Sequence, residues 1–128
     1  RPEIHQLDVA VDDFDQYEPG GANTLDLVGD AALYLPTVMR RLESLADERF
    51  DLCLYNAGMD PHEHCPVGGL AGIDDSVIAR RERLVFSWCR GRKLPVAFVL
   101  AGGYIGPDLD QAGLVALHRL TLTEASAR

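Results

Sequence analysis

Asp51-Leu52-Cys53-Leu54-Tyr55-Asn56-Ala57-Gly58-Met59-Asp60 and Val96-Ala97-Phe98-Val99-Leu100-Ala101-Gly102-Gly103-Tyr104 are the two stretches that decide how this chain folds. Each begins as a short apolar run, passes through glycine and ends on a polar group. Runs of this length and composition read as strands buried on both faces of a parallel sheet. Asp60 and Tyr104 each lie four residues past the expected strand ends at Asn56 and Leu100. Open parallel sheets bind ligands beyond the carboxyl ends of their strands, so the two side chains are expected at one edge of one sheet.

Working outward, residues 30–49 place Leu35, Val38, Met39, Leu42, Leu45 and Ala46 at helical spacing, with Arg40, Arg41, Glu43 and Asp47 opposite. This is an amphipathic helix, and Pro36, a poor interior residue, is expected near its start. A second helix runs from caps at Asp74 and Asp75 to Arg90, with Val77, Ile78, Leu84, Val85, Trp88 and Cys89 as its apolar face and Gly91 placed to end it. A third starts near Asp108 and carries Leu109, Leu114, Val115, Leu117 and Leu120. Ile4 to Val11 supplies an earlier strand. The alternation of strand and helix gives an α/β fold class: a three-layer, mostly parallel sheet with helices on both faces.

The composition is that of one globular domain spanning residues 1–128, with 47% hydrophobic and 25% charged residues. A net charge of −8 disfavours a nucleic-acid partner, since binding a phosphate backbone depends on clustered cations. The local run Arg80-Arg81-Glu82-Arg83, with Arg90, Arg92 and Lys93, reads as the solvated face and end of a helix. No run approaches the ~20 apolar residues of a membrane span and no signal-peptide pattern appears, so the expected compartment is cytoplasmic. Cys53, Cys65 and Cys89 are odd in number and unpaired in spacing, and are expected reduced. The segment Asp12 to Gly21, with Asp12, Asp13, Asp15 and Glu18, reads as a solvated turn without the ordered spacing of a calcium loop. The chain starts at Arg1 and enters a strand almost at once, which leads us to expect a segment of a longer protein.

The loop Asp60-Pro61-His62-Glu63-His64-Cys65 is dense in groups that ligate zinc, with His62 and His64 as accessory candidates. The alternative is a polar loop whose Asp and His satisfy nearby backbone groups. All of these side chains cannot converge on one centre, because consecutive positions of a short loop point in different directions. Gly102-Gly103 is not a phosphate loop, since no lysine follows. A glycine pair after a strand lets backbone approach a ligand or another segment closely.

The segments Tyr55-Asn56-Ala57-Gly58-Met59-Asp60 and Val99-Leu100-Ala101-Gly102-Gly103-Tyr104 resemble, in order and spacing, the C-terminal part of the histone deacetylase superfamily, including its bacterial histone-deacetylase-like and acetylpolyamine amidohydrolase members. The likeness runs from about Asp30 to His118. It implies the C-terminal part of an arginase/deacetylase-like fold. It further implies that Asp60, in the Gly-x-Asp element Gly58-Met59-Asp60, is one ligand of a catalytic zinc. By the same likeness Tyr104 donates a hydrogen bond to the carbonyl of a scissile acetyl amide, and Gly58, Gly102 and Gly103 supply substrate-pocket backbone. Ala101 stands where many members carry another glycine.

The superfamily takes its other zinc ligands from an Asp-x-His element and its general base from adjacent histidines, both earlier in the chain. Neither occurs among His5, His62, His64 and His118, because Asp60-Pro61-His62 coincides with the later aspartate motif. The resemblance therefore implies an enzyme segment, inactive alone, whose complete form hydrolyses acetyl amides of lysine or polyamines with zinc. A non-catalytic α/β binding or interaction module is the competing expectation. A sheet cut from a larger one would also expose an edge able to pair with a second copy, giving a homo-oligomer.

Overall fold

A computed structural model describes residues 1–14 and 16–128; Asp15, part of the acidic turn read from sequence, lies outside the described residues. The elements follow in the order β1 (Gln6–Ala10), β2 (Asn23–Leu27), α1 (Ala31–Glu43), β3 (Cys53–Gly58), α2 (Asp75–Gly91), β4 (Val96–Ala101) and α3 (Gln111–Ser126). They form two separate two-stranded parallel sheets, β1 with β2 and β3 with β4. This corrects the expected three-layer sheet with helices on both faces. β2 was not expected at all. Its Asn23-Thr24-Leu25-Asp26-Leu27 pairs with Gln6-Leu7-Asp8-Val9-Ala10 in register, and that pair is not joined to β3–β4 among the described residues.

The reason lies in what the apolar runs meet. On β3, Cys53 and Tyr55 are part-buried and Ala57 is buried, while Leu54 on the other face is 77% exposed. On β4, Val96 and Phe98 turn inward and Val99 is 58% exposed. The inner face packs on α2 through Phe86, whose ring meets Tyr55 and Phe98 edge-on at centroid distances of 5.7 and 5.4 Å. A continuous apolar run thus corresponds here to one covered face and one open face.

Each helix begins on an aspartate that accepts a backbone N–H of the first turn: Asp30 from Ala32, Asp74 from Val77 and Asp110 from Gly113. Pro36 lies inside α1 rather than at its start, so the helix tolerates the loss of a single internal hydrogen bond in its second turn. Gly91 is the last residue of α2, and the left-handed residue that turns the chain is Lys93, with φ of 54°. The core joins Val28, Tyr34, Leu35, Met59, Ile73, Ile78, Leu109 and Leu117, so the loop after β3 contributes Met59 and Ile73 to the interior. Burying a side chain of this size contributes about 1.5–3 kcal/mol. That loop is therefore built into the fold. No helix among the described residues is long and apolar enough to cross a membrane.

On α1, Arg41 grips Asp26 of β2 with two bonds, Nε to Oδ2 at 2.5 Å and Nη2 to Oδ1 at 2.9 Å. The Arg41 hydrogen bond outweighs partial burial and holds the Asp26 carboxyl below its ordinary value of 3.8. A depressed carboxyl contributes stability that is present above the unfolded pKa and lost as pH falls through the folded one. Thermal unfolding followed from pH 6 down to pH 2 is expected to show a loss below about pH 4 that is smaller in Asp26→Asn. Equal acid sensitivity of the two proteins would remove the pair from this account.

Candidate functional site

The strand register brings the two sequence motifs together. Gly58 stands opposite Ala101 at the ends of adjacent parallel strands, and the Met59 N–H donates to the Ala101 carbonyl at 2.9 Å. One residue further, the Asp60 carboxylate accepts the Gly103 N–H through Oδ1 at 2.7 Å. The same oxygen faces the Cys65 thiol at 3.9 Å, while that thiol donates to the Val67 carbonyl at 2.9 Å. Burial raises the Cys65 pKa above its ordinary value. Asp60 Oδ2 makes no hydrogen bond among the described residues.

Glycine is required at this junction by space and by torsion. Gly102 and Gly103 have φ of 65° and 83°. A Cβ on Gly102 would stand 2.2 Å from Asp60 Oδ1, and one on Gly103 would meet Met59 Cβ at 2.6 Å and Leu114 Cδ1 at 2.7 Å. Gly58 differs: a Cβ there meets nothing within 4 Å. Tyr104 follows directly and is 54% exposed, its phenol unbonded among the described residues. The turn thus places Asp60, Gly102, Gly103 and Tyr104 at one sheet edge.

The loop after Asp60 folds back on itself. The Gly69 and Leu70 N–H groups donate to the Asp60 and Pro61 carbonyls, Glu63 N–H to Ile73, and Cys65 N–H to His62. Glu63 Oε2 accepts the Gly72 N–H at 3.0 Å. His62 is 2% exposed, and both of its ring nitrogens are engaged. Its Nδ1 accepts the His64 N–H at 3.2 Å, which assigns the ring proton to Nε2, the donor to Asp75 Oδ1 at 2.7 Å. His64 is exposed beside Glu63, with Nε2 3.9 Å from Oε1. His62 therefore serves the backbone and the start of α2. Among the described residues no three His, Cys, Asp or Glu side chains group so as to hold a metal.

Beneath the β3 end lies a polar cluster that the sequence reading placed in solvent. Arg81 and Glu82 of α2 are buried, with side chains 6% and 0% exposed, and form an ion pair. Arg81 Nη1 also donates to the Gly58 carbonyl at 2.6 Å and to the Tyr34 hydroxyl at 3.1 Å. The signal was present as spacing: Ile78, Arg81, Glu82, Val85, Phe86 and Cys89 recur at helical intervals along the buried face of α2. Two shallow depressions of about 310 and 330 Å³ lie between α1 and α2, sharing Leu35 and Arg80, and neither includes Asp60 or Tyr104.

No family model matches the chain. An uncharacterized protein of Picosynechococcus sp. (strain ATCC 27264 / PCC 7002 / PR-6) is 42% identical over 72 residues, covering 56% of this chain and 24% of that protein. The chain thus matches about a quarter of that relative's length. The relative's name carries no activity.

Substituting the two classes of glycine separates them. Gly102→Ala combines a left-handed backbone with a clash on Asp60, and the backbone strain alone costs about 1–3 kcal/mol in urea unfolding. Gly58→Ala, in open space, is expected to change stability by less than about 1 kcal/mol. Equal effects at the two positions would refute the assignment of Gly102 as the residue that admits the Asp60 carboxylate.

Proposed function

We propose that this chain is the C-terminal segment of a zinc-dependent amidohydrolase acting on acetyl amides of lysine, polyamines or related amines, and that it is inactive alone. The observation that carries this reading is the 2.7 Å bond from the Gly103 N–H to the Asp60 carboxylate. It ties the acid of the Gly-x-Asp element to the glycine turn bearing Tyr104. The reading rests on this local β3–β4 geometry. Asp60 would offer its free Oδ2 to zinc, which when bound polarises a carbonyl and activates water. The exposed Tyr104 phenol would donate to the substrate carbonyl as negative charge develops on its oxygen. The Asp-x-His ligands and the histidine pair would come from residues outside this chain. We place the protein in the cytoplasm, on the odd number and unpaired spacing of Cys53, Cys65 and Cys89 in the sequence.

The test uses the longer protein that contains this segment, measuring bound zinc and acetate release from an acetyl-lysine substrate. Asp60→Ala is expected to lose zinc and activity. Tyr104→Phe should keep zinc while kcat falls by about 10²–10³, the usual cost of losing an oxyanion donor. His62→Ala and His64→Ala should retain zinc. Zinc held undiminished by Asp60→Ala would refute the reading.

A second reading, a non-catalytic binding or interaction module, is favoured by the open β3–β4 face, where Leu54 and Val99 are exposed beside Leu52 at the start of β3. Apolar surface of this kind marks an interaction site, and among the described residues each strand also carries an unpaired edge. Light scattering of this chain at high concentration is expected to show self-association that Leu54→Lys abolishes. A strictly monomeric profile would count against a homo-oligomer.

A further inference from the structure

Arg81 is a cation placed where a cation is costly, and its contacts indicate what it is for. Its guanidinium is planar and always charged, and the whole side chain is buried. Nε donates to Glu82 Oε1 at 3.1 Å and Nη2 also bonds that oxygen, while Nη1 reaches away from the ion pair to Tyr34 Oη and Gly58 O. Three segments therefore meet on one fork: α1 through Tyr34, α2 through Glu82 and the end of β3 through Gly58.

The Gly58 carbonyl is the informative partner. Gly58 is the last residue of β3, and Asp60 follows two residues later. Between them, Met59 is completely buried and bonded to Ala101. A carbonyl fixed at 2.6 Å and a methionine locked in the core leave the chain little freedom before Asp60. Replacing a buried ion pair by apolar residues is often neutral or stabilising, so the pair is poorly explained as a source of stability. Glu82 Oε2 and the nearby Tyr55 hydroxyl are also buried, facing each other in the same cluster. The cluster buries a charged pair and two phenols around a fork that reaches the Gly58 carbonyl.

We infer that Arg81 is a positioning residue for Asp60: by clamping the Gly58 carbonyl from below, it fixes where the Asp60 carboxylate stands relative to Gly103. The geometric part holds whatever Asp60 does; its functional meaning rests on the proposed role of Asp60. Lysine at this position keeps the charge, but its three donors radiate from one nitrogen instead of spreading over a planar fork. It does not reproduce the fork in which Nη1 serves Gly58 and Tyr34 while Nε and Nη2 hold Glu82.

Amide NMR of this chain tests the inference, with the Gly103 N–H as reporter. In Arg81→Lys the Gly103 amide is expected to move upfield and to exchange with solvent about tenfold faster or more, a loss of local protection, while ladder amides such as Asn56 and Val99 keep their rates. Tyr34→Phe removes one of the contacts and should shift Gly103 the same way by less. Asp60→Ala should abolish the bonded signal. The inference is overturned if Gly103 is unchanged in folded Arg81→Lys, if Gly103 and the ladder amides lose protection together, or if Gly103 ignores Asp60→Ala. Should Arg81→Lys fail to fold, an unchanged Gly103 in Tyr34→Phe overturns it. A Gly103 response in this chain, with zinc held by Asp60→Ala in the longer protein, would leave the positioning role standing and sink the metal reading.

Discussion

Everything at the candidate site depends on the register that sets Gly58 against Ala101. Because β3 and β4 are parallel neighbours ending at the same level, the two chains leave the sheet side by side and in the same direction. The first outgoing residue of one, Met59, still bonds to the last residue of the other. The next polar group on that path is a carboxylate, and the nearest backbone donor on the other path belongs to Gly103. A shift of one residue would turn these side chains to the opposite face and separate the acid from the turn. The left-handed torsions at Gly102 and Gly103 then bring the second chain close enough for the bond to form.

The parts of this arrangement that were legible in the sequence are those with a local cause. An apolar run closing on glycine marks a strand end, and Asp30, Asp74 and Asp110 occupy helix starts because their carboxylates answer free N–H groups. Asp60 and the Gly102-Gly103 pair stood out because an acid and a glycine turn at strand ends have few other uses. What was not legible depends on neighbours. Val96 to Leu100 reads the same whether one face or two are covered, so the sequence suggested a layer that the fold does not contain. β2 was missed because Asn23 to Leu27 offers only a weak alternation, and its partner β1 lies across a turn-rich connection. Arg81 and Glu82 sit in a charge run that resembles a solvated face, although their helical phase with Ile78 and Val85 puts them inside.

The fate of His62 shows how the same residue types separate into different work. Asp60 and His62 are two positions apart, and both belong to the inventory of zinc ligands. His62 is consumed: one nitrogen accepts a backbone N–H and the other donates to Asp75. Asp60 spends one oxygen on Gly103 and keeps the other. A chemically versatile residue with every lone pair and proton engaged is a structural one, however suggestive its neighbours. By that criterion Asp60, the exposed His64 and the Tyr104 phenol are groups in this region with capacity left over among the described residues.

The same criterion bears on the molecule as a whole. Leucine and valine stand in water on the open face of β3–β4, while an arginine and a glutamate lie buried under the other side. For a domain selected only to be stable this is inverted, since exposed apolar surface and buried ions each work against folding. Departures from local consistency of this sort concentrate where structure serves something besides stability. Arg81 of the buried pair bonds the Gly58 carbonyl, two residues before Asp60, and the open face belongs to the two strands that lead to Asp60 and Tyr104. Both departures therefore point at the same strand pair, one holding the acid from beneath and the other leaving the opposite side of its scaffold available for contact.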